Sequence, residues 1–228
     1  MSGFALRLQF ARFSLPIRWL KTLILTSSLS LAIATSAVGL SAHADAEPKA
    51  EPEAEPAAEQ TTEEARPKVK IETTKGTIVM EVFTAEAPLS ATNFLKLVDE
   101  GFYDGLIFHR VVANFVVQTG GYNATLTYRT PPGTIENESG NGIKNTRGTV
   151  AMARQTDPDS ADAQFFINMR DNPHLDPVGD RAGYSVFGKV IAGMDAAERI
   201  ELSDTNIQAG MAGVPEHPIE IIAVTRLP

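Results

Sequence analysis

The sequence places three long polar side chains inside one apolar run that extends from Gly105 to Gly121, GLIFHRVVANFVVQTGG. They are His109, Arg110 and Gln118, and most of their neighbours are apolar or β-branched, as in a buried strand. A guanidinium in such a run is costly unless it is paired or faces a wet cleft. For Arg110 two interpretations therefore stay open, an internal salt bridge or a polar site. For His109 we expect a hydrogen-bonded core histidine.

The elements that must position these side chains are two strand-like runs, residues 106–112 and 115–118. Both runs read with a period of two, and a short turn separates them. If they pair as a hairpin, Arg110, Phe115 and Gln118 share one face. We expect a small site there that is both polar and aromatic.

Composition and motifs exclude several other classes of function. The chain has no cysteine, which excludes a disulfide framework and a lipoprotein anchor. It contains no P-loop, no Rossmann glycine pattern and no H-E-x-x-H run. We expect neither a metal nor a cofactor. Six acids lack the spacing of a calcium loop, and we expect them on the solvated surface: Asp157, Asp159, Asp162, Asp171, Asp176 and Asp180.

Residues 1–44 have the features of a secretory signal peptide. They carry four basic residues and no acid, then an uncharged run at 23–40, then Ala42-His43-Ala44 as a cleavage site. The alternative is an uncleaved anchor, because the uncharged run reaches the lower length limit for spanning a bilayer. We expect cleavage after Ala44, a periplasmic protein and no stable membrane insertion. Removal of the segment changes the formal charge from −8 to −12, which argues against nucleic acid as a partner.

Residues 45–66 form an acidic segment rich in Glu, Pro and Ala. It has eight acids, two bases and almost no apolar side chains, so it cannot offset its ordering entropy by burial. We expect a disordered tether that is extended by proline and charge repulsion. The alternative is an acidic tail that binds a partner.

Residues 67–228 have the pattern of one folded domain. Short alternating runs predict strands at 69–73, 77–83, 149–153, 164–169, 184–190 and 219–226, in addition to the two described above. Helices are expected at 194–200 and from Pro88, the latter with Leu89, Phe94, Leu97 and Val98 on one face. Residues 122–147 read as a long loop. The fold class is mainly β with two helices, and short, numerous antiparallel strands favour a closed barrel.

Four runs then occur in one order, FHRVVANFVVQTGG, NTRGTVAMAR, QFFINM and YSVFGKV. In this order they resemble the cyclophilins, peptidyl-prolyl isomerases with a closed eight-stranded barrel. The resemblance covers about residues 70–228, and the AMAR form with the export signal is similar to the periplasmic bacterial branch. It implies a monomeric isomerase that acts on proline-containing segments of unfolded or exported proteins.

The resemblance also implies a role for each matching residue. Arg110 stands at the position of the family's catalytic arginine and Gln118 at that of the supporting glutamine, with Phe115 beside them. The substrate-binding positions that it implies are Val116, Arg154 through its backbone, Gln164, Phe166, His174, Leu175 and Tyr184. His174 also fits a surface loop residue without a role.

This sequence departs from the family pattern near the pocket, but the arginine is retained. The replacements are Val116 for methionine, Ala113-Asn114 for Pro-Gly, Thr119 for glycine, His174 for Trp or Phe, and Tyr184 for histidine. Two other functions stay open. One is a peptide-binding chaperone module with little turnover, and the other is a scaffold whose acidic tether recruits a partner.

Overall fold

The structure, a computed structural model, describes residues 66–228, which lie within one compact unit. The predicted signal peptide and all of the predicted tether except Arg66 fall outside these residues. Within them no helix is long and apolar enough to cross a membrane. The elements are β1 (Lys68–Thr73), β2 (Gly76–Val82), α1 (Pro88–Asp99), β3 (Arg110–Val112), β4 (Val116–Thr119), β5 (Thr149–Met152), β6 (Phe165–Asn168), β7 (Val186–Ala192), α2 (Met194–Glu201), β8 (Thr205–Gln208), β9 (Met211–Pro215) and β10 (Ile221–Leu227).

Eight of these strands form one antiparallel sheet in the order β10-β1-β2-β7-β5-β6-β4-β3. The prediction of a mainly β fold with two helices is confirmed, but the prediction of a closed barrel is wrong. The end strands β10 and β3 are not paired with each other. The irregular segment before β3 instead meets the start of β10 through the bridge between Ile107 and Glu220 and through three backbone hydrogen bonds, from Gly105 N to Ile221 O (2.9 Å), from Phe108 N to Ile219 O (3.0 Å) and from Ile221 N to Leu106 O (2.8 Å). The reason is that the expected strand at 106–112 is regular only from Arg110 to Val112. The sheet is therefore an open, curled half-barrel.

The two faces of this sheet carry different apolar clusters. Along β6, Phe165 and Ile167 pack into the main core, whereas Phe166 belongs to a second cluster. Successive side chains of a strand point to opposite faces, which explains the alternation. The second cluster consists of Phe83, Val116, Ala151, Ala153, Phe166, Leu175 and Val186. Several of these are predicted site residues, so the site and the main core lie on opposite faces.

Helix α1 depends on a residue from the long loop at 122–147. Its first turn begins with Pro88 after Ala87, which has no capping side chain, and the Glu138 carboxylate accepts hydrogen bonds from Leu89 N and Ser90 N, both at 2.8 Å. Phe94, Leu97 and Val98 are buried as predicted. Leu89 is 45% exposed, so its assignment to the buried face is wrong. It stands five residues before Phe94, about 140° away around the helix.

The hairpin of β8 and β9 is an element that the sequence interpretation missed. Its strands are joined by Ala209 and Gly210, both with positive φ (48° and 81°), as a two-residue hairpin turn requires. An Ala-Gly pair is a weaker turn signal than Asn-Gly, and the runs around it contain few β-branched residues. The hairpin packs against β3, which brings it beside the predicted site.

Candidate active site

The β3–β4 hairpin brings the three predicted catalytic residues together. Arg110 is directly opposite Gln118 in the register, so their side chains leave the same face. Phe115 lies in the turn rather than in a strand, and its ring centre is 5.7 Å from Arg110 Cζ. Asn114 has a φ of 54°, and its N–H donates to Glu201 Oε1 at 2.6 Å. The turn thus holds Phe115 beside the guanidinium.

A cavity of about 320 Å³ opens next to this hairpin. Eight of the ten predicted site residues line it, and Ala153, which the sequence interpretation did not single out, lines it as well. The two others lie next to it. Gln118 Nε2 donates to Gln164 Oε1 at 3.3 Å, and the exposed His174 ring stacks on Phe115 with centres 5.4 Å apart. The full lining is Arg110, Phe115, Val116, Gln118, Ala153, Arg154, Phe166, Leu175 and Tyr184.

Arg110 is half-buried at the edge of this cavity. Among residues 66–228 no carboxylate lies within ion-pair distance of it, although eight other ion pairs occur there. Of the two interpretations of this side chain, the geometry favours a guanidinium that faces a cleft. Its charge is available to a group that enters the cavity.

One wall of the cavity is a stack of three side chains. The Tyr184 ring meets Phe166 edge-on at 5.6 Å, and Arg154 Cζ lies 4.8 Å from the centre of the Tyr184 ring. Arg154 also donates to the carbonyl oxygens of Ala182 (2.9 Å) and Gly183 (3.0 Å). The Arg154 side chain therefore fixes the segment before β7.

A series of hydrogen-bonded, buried polar side chains links two other parts of the cavity wall, the segment of Leu175 and the turn of Phe115. Asp176 Oδ1 accepts from Asn145 N (2.8 Å) and Nδ2 (3.1 Å), and Asn168 Nδ2 donates to Asn145 Oδ1 at 3.2 Å. Asn172 Nδ2 then donates to Asn168 Oδ1 (2.8 Å) and to the carbonyl oxygen of Phe115 (3.1 Å). This series, which we call the amide network, connects the segment of Leu175 with the turn of Phe115.

The amide network corrects the prediction for the six acids. Asp176 is only 7% exposed, because it is the acceptor that satisfies buried N–H groups. Asp162 is half-buried, and it accepts from the Tyr128 hydroxyl at 2.6 Å. The prediction of a solvated surface is wrong for these two. The remaining four are exposed as expected.

His109 is buried, as predicted, behind the hairpin. Its ring centre is 4.8 Å from that of Tyr122, and its Nε2 is 3.5 Å from Gln118 Nε2. The contact with Gln118 is a hydrogen bond, as expected of a core histidine, whereas Nδ1 has no hydrogen-bond partner within the described residues. Burial lowers the pKa of His109 to about 4, and the nearby charge of Arg110 acts in the same direction. The ring is therefore neutral at physiological pH.

This shift predicts a loss of stability in acid. The unfolded chain binds the histidine proton near pH ~6.5, whereas the folded protein binds it only near its lowered pKa. As the pH falls through this interval the unfolded state is favoured, by about 2–3 kcal/mol at pH ~4.5 relative to pH ~7. We expect His109→Gln to remove this part of the pH dependence, measured by urea unfolding at the two pH values. His217→Gln, which changes an exposed histidine, is the control, and equal pH dependence in all three proteins would contradict the prediction.

Comparison with known proteins agrees with this geometry. The family profile described as cyclophilin type peptidyl-prolyl cis-trans isomerase/CLD matches residues 68–226. A peptidyl-prolyl cis-trans isomerase of Acinetobacter baylyi is 45% identical over 160 residues, 70% of this chain and 85% of the relative. Peptidyl-prolyl cis-trans isomerase B of Escherichia coli is 42% identical over 160 residues, 69% of this chain and 98% of the relative.

Solved structures show the same fold. A crystal structure of a Cryptosporidium parvum cyclophilin type peptidyl-prolyl cis-trans isomerase matches with a TM-score of 0.58 and 26% identity, over 72% of this chain and 98% of the other. A second structure of that protein, in the presence of the dipeptide Ala-Pro, matches with a TM-score of 0.57. With the family profile over the whole described domain and bacterial relatives above 40% identity, this chain belongs to the cyclophilin family and is a peptidyl-prolyl cis-trans isomerase.

Proposed function

We propose that this isomerase accelerates X-Pro bond rotation in exported proteins, and that Arg110 does so by stabilising the twisted amide. The observation that carries the proposal is the position of the guanidinium. It lies at the edge of a cavity that has both polar and apolar walls, 5.7 Å from the Phe115 ring centre, with no carboxylate partner among residues 66–228. A charge in this position can interact with whatever occupies the cavity.

The reaction explains why such a donor is useful. Resonance gives the X-Pro amide a rotation barrier of about 20 kcal/mol, and no covalent bond breaks during rotation. In the twisted state the proline nitrogen regains its lone pair and becomes pyramidal. A guanidinium N–H that donates to this nitrogen, or to the prolyl carbonyl oxygen, binds the twisted state better than either planar state. Only this difference in binding lowers the barrier.

The apolar walls complete the proposed site. Phe115, Val116, Phe166 and Leu175 form a cup that would hold the proline ring while the preceding carbonyl rotates. An acceleration of about 10⁵ needs about 7 kcal/mol of preferential binding to the twisted state. A desolvated, charge-assisted hydrogen bond combined with fixed positioning reaches this range.

Two glutamines and the outer residues have supporting roles in this proposal. Gln118 is opposite Arg110 and donates to Gln164, so each amide limits the rotation of the other. The amide of Gln164 and the backbone at Arg154 would bind the peptide main chain. Tyr184 and His174 would cover the ends of the cup, since Tyr184 packs edge-on against Phe166 and His174 stacks on Phe115. The C. parvum structure obtained in the presence of the dipeptide Ala-Pro supports a proline ligand for this fold.

The alternative is a peptide-binding chaperone module with little turnover. A protease-coupled assay on a short X-Pro peptide separates the two functions. We expect cis-to-trans conversion to speed up in proportion to the protein concentration. Peptide binding by calorimetry without any acceleration would favour the chaperone module, and the intact Arg110–Phe115–Gln118 arrangement favours the enzyme.

The domain organisation is part of the proposal. Residues 1–44 would be a cleaved signal peptide, 45–66 an acidic tether and 67–228 a monomeric isomerase domain in the periplasm. The four basic residues before an uncharged run and the Ala42-His43-Ala44 sequence support this arrangement. We expect the mature protein to start at Asp45, as checked by intact-mass spectrometry of the periplasmic fraction. A mass that includes residues 1–44, found in the membrane fraction, would indicate an uncleaved anchor.

A further inference from the structure

A second cavity, of about 360 Å³, shares Arg110 and Gln118 with the proposed proline site. It is closed on one side by Met211 and Ala212 of the β8–β9 hairpin, and we call it the hairpin cavity. Because the two cavities have these residues in common, a peptide whose proline occupies the first passes next to the second. The proline site leaves the hairpin cavity without an assigned ligand.

Most residues that line the hairpin cavity are uncharged. Its aromatic surface consists of Tyr122 and His109, whose ring centres are 4.8 Å apart. Met211 adds a polarizable thioether and Ala212 a methyl group, and thioethers pack well on aromatic rings. His109 is only 4% exposed, whereas Tyr122 is half-buried, so most of the aromatic surface that a ligand would meet belongs to Tyr122. Arg110 supplies the only charge of the lining.

The wall formed by the hairpin packs closely against β3, the strand that carries Arg110. Gly213 has a φ of 79°, and a Cβ atom there would lie 2.9 Å from the carbonyl oxygen of Val111. Only glycine accommodates both this backbone conformation and this approach to β3. Val111 is the neighbour of Arg110 in β3, so the hairpin packs directly against the strand that carries the guanidinium.

We propose that the hairpin cavity is a specificity subsite that binds a large apolar side chain, aromatic above all, two residues away from the proline. The proposal rests on the proposed function of the first cavity. In an extended peptide, side chains two residues apart leave the same face and are about 7 Å apart. Two neighbouring cavities that share Arg110 and Gln118 can therefore receive two such side chains of one peptide. A lysine or arginine at that peptide position is disfavoured, because it would face the charge of Arg110.

The test uses two pairs of peptides. The members of the first pair carry Phe or Ala two residues before the proline, and the members of the second pair carry Phe or Ala two residues after it. For the unmodified protein we expect kcat/KM to be about fivefold higher for the Phe peptide of one pair. Met211→Ala, which removes part of the wall, and Ala212→Phe, which fills the cavity, should each bring this ratio close to one. Turnover of the Ala peptide should change less than about twofold. Ile222→Ala removes an exposed apolar side chain on β10 and is the control.

Several outcomes would overturn the proposal. They are the absence of a Phe preference at either position, a preference that survives in both hairpin variants, and an equal loss of turnover for Phe and Ala peptides. The last would show that the hairpin only supports the proline site. Calorimetry with the same peptides separates this proposal from the proposed function. If no peptide is turned over but the Phe peptide still binds more tightly, and loses this advantage in the variants, the subsite stands and the catalytic proposal fails.

Discussion

Arg110→Ala is expected to lower the turnover of an X-Pro peptide about a hundredfold while the domain stays folded. A charge-assisted hydrogen bond made only in the twisted state contributes roughly 3 kcal/mol to lowering the barrier, which corresponds to this factor. Peptide affinity should change much less, because the ground-state amide does not make this bond. We expect little change in melting temperature, because no carboxylate among residues 66–228 is left unpaired by the truncation. Turnover, peptide affinity and melting temperature are measured on the same sample.

Two further variants make this prediction specific. Arg110→Lys should also be inactive, since an ammonium lacks the planar fork of the guanidinium. Arg147→Ala removes an exposed arginine that pairs with Glu198, and it should retain full turnover. A well-folded Arg110→Ala protein with full activity would remove this residue from the mechanism. A large drop in melting temperature would instead assign it a structural role.

The second large effect is expected for Asp176→Ala, at the end of the amide network. This change removes the acceptor of Asn145 N and Nδ2, which lie in the interior. Two stranded N–H groups should lower the free energy of unfolding by about 2–4 kcal/mol, as measured in urea. The same change loosens the chain of contacts that ends at the carbonyl oxygen of Phe115, so KM should rise in the folded fraction.

The matched control is Asp176→Asn, because its amide oxygen keeps one acceptor at this position. It should lose less than half as much stability as Asp176→Ala. If both variants were as stable as the unmodified protein, the amide network would not support the site. If both were equally unstable, the carboxylate charge rather than its hydrogen bonds would be the stabilising feature, with Lys144 Nζ at 3.9 Å as its partner.

Local periodicity was enough to predict most strands and both helices, because alternating and helical patterns are short-range properties. Closure of the sheet was not predictable in this way. It depends on whether residues 105–109 continue β3, and an apolar stretch with this composition fits a strand and an irregular segment equally well. The capping of α1 was also missed, since Glu138 reaches it from 48 or 49 positions away along the chain.

At the site, too, features carried by local sequence were predicted, whereas contacts between distant residues were missed. The motif order was specific enough to name ten residues, and the structure brings them together around one cavity. Asn145, Asn168 and Asn172 were missed because each looks like an ordinary turn or strand-end residue. Only the fold reveals that their amides meet in the interior. The hairpin cavity was missed for a related reason, since Met211 lies about a hundred residues from His109 along the chain.

The central claim, that the Arg110 guanidinium lowers the barrier on the bound peptide, is tested most directly by NMR exchange spectroscopy at saturating protein. This measurement gives the cis–trans exchange rate within the complex, free of differences in affinity. The account predicts rapid exchange on the unmodified protein and a rate about a hundredfold lower on Arg110→Ala, with similar shifts of the peptide resonances on binding. Equal exchange rates on the two proteins, or binding shifts on the unmodified protein without exchange, would contradict it.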